Sequence, residues 1–88
     1  MRIAAFHAFT RLATRAALRK QGKSRSEIAD IIDYATDDVI DAVASEGKVG
    51  AFGDGVVIKN ILDWLGSPEG QAFIKMLIEI IMTLIAAA

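Results

Sequence analysis

The chain has 88 residues, 53% of them hydrophobic, no cysteine, a single histidine and a formal net charge of −1. Such a length bounds it to one small domain with a modest core. The missing cysteines exclude a disulfide framework and thiolate metal ligation, and one histidine cannot make a histidine-based metal site. A mean hydropathy of +0.40 is rich for a small domain and points to burial between subunits or to membrane contact. The near-zero charge hides an asymmetry: residues 1–25 carry +7 with no acid, and residues 26–88 carry −8. A split of this kind suggests a basic arm meeting an anionic partner, or two halves that pair with each other within or between chains.

Residues 2–21 read as a helix stopped by Gly22. Ile3, Phe6, Ala13 and Ala17 share one face, with Phe9 and Ala16 at its edge. Arg11, Arg15 and Arg19 stack on the opposite side at four-residue spacing. This Arg-rich, acid-free segment resembles a mitochondrial transit peptide, but it has few hydroxyl residues before Ser24 and is expected to belong to the fold. It lacks the uninterrupted apolar run of a secretory signal. Arg11, Arg15, Arg19, Lys20, Lys23 and Arg25 are the predicted anionic-partner residues, because arginines on one stripe can bridge successive phosphates, on nucleic acid or on lipid headgroups. With Phe6 and Phe9 opposite, the helix also suits a bilayer interface. Residues 1–23 are thus read as a basic amphipathic unit.

Ser24 and Glu27 have capping-box spacing, with Ser26 as an alternative cap. The acidic segment 24–46 then buries Ile28, Ile31, Ile32, Ala35, Val39, Ala42 and Val43 and turns Asp30, Asp33, Asp37, Asp38 and Asp41 outward. Thr36 can cap a fresh start at Asp37, so the segment is one helix or two broken near Tyr34 to Thr36. Residues 24–43 resemble a helix-turn-helix in the placing of Ile28-Ala29, Ile32 and Val39, but Asp33 occupies the position where such motifs usually hold glycine. The would-be recognition helix opens Thr36-Asp37-Asp38, and carboxylates facing phosphates repel them. Base reading by this element is not expected, so any nucleic-acid contact falls to the basic first helix. The aspartates match no metal-binding loop and read as a solvated face.

Residues 47–55 are a predicted hinge around Gly47, Gly50, Gly53 and Gly55, with a hairpin over 49–58 as the alternative. The glycines lack the spacing of a phosphate-binding loop. Residues 56–88 form a predicted hydrophobic helical hairpin. Its first helix, 56–65, buries Val57, Ile58, Ile61, Leu62 and Leu65, with Trp64 as an anchor. Ser67 and Pro68 open the last helix, 68–86. Gln71, Lys75, Glu79 and Thr83 form its one polar stripe, of which Gln71, Lys75 and Glu79 are a candidate contact between copies. Phe73, Ile74, Leu77, Ile78, Ile81, Leu84 and Ile85 are the predicted membrane or oligomer contacts. A membrane span is near energetic balance. A central Glu79 costs about 2.5–3.5 kcal/mol, and each of about ten large apolar residues returns about 0.3–0.6 kcal/mol.

The expectation is therefore an all-α bundle of about four helices with a Gly-rich hinge and a strongly apolar C-terminal helix. No triad accompanies His7, so neither enzymatic chemistry nor a cofactor or metal is expected. The expected role is a structural or assembly protein, membrane- or subunit-associated, for example a small virion component. The alternative is a soluble helical interaction module or regulator. Self-association, another helical protein, membrane lipid and nucleic acid are the candidate partners.

Overall fold

A computed structural model describes residues 4–46 and 58–88. They form five helices: α1 Ala4–Lys20, α2 Arg25–Tyr34, α3 Asp37–Glu46, α4 Ile58–Gly66 and α5 Pro68–Ala87. No strand occurs among the described residues. The predicted hinge at Gly47, Gly50, Gly53 and Gly55, the alternative hairpin, Ile3, Val57 and the side chain of Ile58 lie outside them.

Local sequence sets each boundary. Gly22, at φ +79°, closes α1 in a Schellman turn. Its N–H donates to the Arg19 carbonyl at 3.0 Å, and that of Lys23 donates to the Leu18 carbonyl at 3.1 Å. Ser24 is the cap of α2: its Oγ accepts from the Glu27 N–H, and the Glu27 carboxylate accepts from the Ser24 N–H, each at 3.2 Å. The acidic segment is two helices, so the described residues form five rather than four. Ala35 leaves helical geometry at φ −83°, ψ 60°, and the Thr36 hydroxyl accepts from the Val39 N–H at 3.3 Å to start α3. The break re-phases α3 relative to α2. Ile40, off the predicted stripe of a continuous helix, becomes fully buried, and Ala42 turns out to solvent.

The elbow between α4 and α5 is the tightest junction. The Ser67 hydroxyl accepts from the Gly70 N–H at 3.2 Å and itself donates to the Trp64 carbonyl. Gln71 Nε2 donates to the Leu65 carbonyl at 2.8 Å, satisfying an orphan acceptor at the end of α4. Gly70 is required: a Cβ there would stand 2.1 Å from the Trp64 carbonyl oxygen and 2.6 Å from Leu65 Cα.

The core lies between α5 and the other four helices, with Leu18, Ile40, Ile61, Ile74, Leu77 and Ile81 sealed from solvent. Phe6, Trp64 and Phe73 cluster at one end with ring centroids 5.6–6.3 Å apart, close enough for favourable aromatic contact. The Cα radius of gyration is 12.6 Å, near the ~12 Å of a compact chain of this length.

The inward face of α1 differs from the expected one. Phe6, His7, Thr10, Thr14 and Leu18 are buried, while Ala13 and Ala17 lie at the margin and Ala16 is exposed. Apolar periodicity missed this because three of the five inward residues are polar. Leu62, expected inside, is 48% exposed.

Candidate functional site: the two faces of α1

The described part of α1 carries polar groups on its inner side and apolar ones on part of its outer side. Inside, the His7 ring, 2% exposed, places Nε2 2.7 Å from Asp41 Oδ1 and Nδ1 3.7 Å from Asp37 Oδ1. One turn on, Arg11 Nη1 donates to Asp37 Oδ1 at 2.7 Å and to the Ala35 carbonyl at 3.2 Å. The basic and acidic halves therefore meet within one chain, at the seam between α1 and α3. Asp37 offsets the charge of Arg11 in a charge-assisted hydrogen bond, and Arg11 also ties down the carbonyl freed where α2 ends. Thr14 Oγ1 donates to the Thr10 carbonyl at 2.8 Å. The Thr10 hydroxyl is buried with no hydrogen-bond partner among the described residues.

The six predicted cations separate. Arg11 is committed to Asp37. Lys23 stands 4.0 Å from Glu27, one turn away, a pair worth little in water. Arg15, Arg19, Lys20 and Arg25 are exposed and pair with no charge among the described residues. Arg15, Arg19 and Lys20 belong to one helix end, and Arg25 lies across the turn on α2.

Beside them is an apolar groove of about 430 Å³ between α1 and α4. Phe9, Leu12 and Ala16 form one wall, Leu62 and Leu65 the other, with Lys20 and Gln71 at the end. Leu12 is 54% exposed, the most open of the exposed large hydrophobics described. Leu12 falls off the main apolar stripe of its helix, which was the available sequence signal, whereas Leu62 lies on the stripe of α4 and gave none. Only the packing of α4 against α1 brings the two together.

The seven predicted contacts of the last helix also separate. Phe73, Ile74, Leu77, Ile78 and Ile81 are buried against the chain's own helices, and Ile85 is half-buried. Leu84 is 42% exposed and lines a second groove, of about 410 Å³, with Val39, Ala42, Val43 and Ile80. Lys75, Glu79 and Thr83 face solvent. By length and composition α5, with a mean hydropathy of 1.7, is the one described helix able to cross a membrane, and about a third of it is buried. Among the described residues no group of three or more His, Asp or Glu side chains is placed to hold a metal ion. Comparison with family models, curated proteins and solved structures returns no match, so the outer face of α1 is interpreted from its own chemistry.

Proposed function

We propose that this chain is a non-enzymatic helical assembly module that binds an acidic, amphipathic protein surface along the outer face of α1. The observation that carries this reading is the apolar groove of Phe9, Leu12, Ala16 and Leu62 running beside Arg15, Arg19 and Lys20, which have no ion-pair partner among the described residues. A phosphate backbone satisfies the cations but offers nothing to the groove. An amphipathic helix with acids along one edge satisfies both, its apolar anchors seated and its carboxylates at the rim. The test is titration of a labelled, Glu-rich amphipathic helical peptide, read by anisotropy. Binding should weaken with salt and fall at least about tenfold in Arg15→Glu/Arg19→Glu or Leu12→Glu. Equal binding of a composition-matched scrambled peptide, or indifference to these substitutions, would reject the reading.

A second reading is favoured by α5, whose length and hydropathy suit a bilayer and whose Met82 and Leu84 are exposed. In it the helix leaves the bundle for lipid and α1 lies on anionic headgroups. Salt-sensitive sedimentation of the full chain with anionic vesicles, but not with zwitterionic ones, would favour this membrane role over the first.

A further inference from the structure

The charge layout also identifies an occupant for the groove. On α2 the exposed residues Asp30, Asp33 and Tyr34 occupy adjoining positions one turn apart. Tyr34 is 38% exposed, one of the few large hydrophobics left outside the core. Neither aspartate pairs with a charge among the described residues. This is an aromatic knob with an acidic edge. The α1–α4 groove is the converse, an apolar slot with a basic edge at Arg15, Arg19 and Lys20. Tyrosine is enriched at interfaces because it brings a large apolar body with little rotamer freedom to lose and a hydroxyl that can stay wet at the rim.

We infer that the groove receives a second copy of this chain, which docks the Tyr34–Asp30–Asp33 face of its α2 between α1 and α4. The inference rests on the assembly-module reading and names its partner. Knob and groove are different patches of one molecule. Arg11 and His7 bind the Ala35–Asp41 region on one side of α1, and Leu12 and Ala16 turn toward α4 on another. The contact joins unlike patches, so each copy both gives a knob and receives one. A reciprocal two-fold pair, a larger ring or a filament results according to the rotation between copies. Opposite charge at the two edges fixes the register and steers encounter, so assembly weakens as salt rises.

The test is sedimentation velocity on the full chain, up to about 1 mM, with two variants whose changes are all at exposed positions. Leu12→Glu/Leu62→Glu blocks the groove. Tyr34→Ala/Asp30→Lys/Asp33→Lys blocks the knob. Circular dichroism establishes that both remain helical. The wild type should associate in a salt-sensitive manner, and each variant alone should associate at least about tenfold more weakly. Mixed, the two variants should form a one-to-one dimer and nothing larger, because one intact groove and one intact knob remain. A wild type monomeric throughout, a variant that associates as the wild type does, or a mixture that forms no dimer overturns the inference. Failure here with the acidic peptide still bound would leave the module reading standing, whereas loss of both would remove both.

Discussion

Replacing Gly70 by alanine sets two ordinary effects against each other. Helix propensity favours alanine over glycine by up to about 1 kcal/mol. Packing opposes it, because the new Cβ would stand 2.1 Å from the Trp64 carbonyl oxygen, 2.6 Å from Leu65 Cα and 2.8 Å from Leu65 C. All three are backbone atoms, so no side-chain rotamer can relieve the overlap. The backbone itself is pinned by the Ser67 cap and by the Gln71 bond to Leu65. Overpacking costs about 1–3 kcal/mol, and an unyielding site belongs at the upper end. The net expected loss is about 2 kcal/mol, against the roughly 4–13 kcal/mol expected for a chain of this size. Urea unfolding followed by Trp64 fluorescence should show the midpoint falling by roughly 0.7–2 M. A midpoint that stays or rises would mean that α4 does not turn against α5 as described, and propensity alone would then account for the site.

Two further substitutions test the polar details. Thr10→Val removes a buried hydroxyl that has no partner among the described residues and should raise stability by about 1 kcal/mol in the same assay. Thr14→Val, which sacrifices a bond to the Thr10 carbonyl, should gain less, and the reverse order would contradict the assignment. At the turn before α2, the backbone and then the side chain of Ser24, with Lys23 nearby, hold the Glu27 carboxyl below its ordinary value of 4.5. A carboxyl lowered in the folded state binds fewer protons there than when unfolded. Its contribution is therefore complete above that ordinary value and is withdrawn as pH falls through the lowered one. Thermal melts of Glu27→Gln should lose part of the wild-type decline below about pH 4.5, and an unchanged decline would place the effect elsewhere.

Much of the fold is written in local chemistry. Ser67-Pro68, Gly22 and the Ser24–Glu27 box mark ends that depend on a few neighbouring residues, and the structure has them where those residues stand. The break before Asp37 is visible in Thr36, but its consequence for Ile40 is not, because re-phasing a helix depends on the geometry of one residue, Ala35. On α1 the apolar pattern misleads. His7 is tolerated inside because Asp37 and Asp41 arrive from a helix some thirty residues on, and Thr10 and Thr14 are small enough for close packing. Leu12 is left outside, and only when α4 brings Leu62 to it does a groove exist. The cations of that helix are legible as a stripe. Which of them is already spoken for is a tertiary fact, settled by Asp37.

The claim on which the functional reading depends is that α5 buries its apolar face in its own chain and so leaves the outer face of α1 for partners. The chain has no cysteine, so single cysteines placed along α5 and treated with a maleimide in detergent-free buffer report that burial directly. Leu77→Cys and Ile81→Cys should resist labelling until the protein is unfolded, whereas Lys75→Cys and Glu79→Cys should react at once. Labelling of all four alike in buffer, with protection of Leu77→Cys and Ile81→Cys only when lipid vesicles are added, would contradict it.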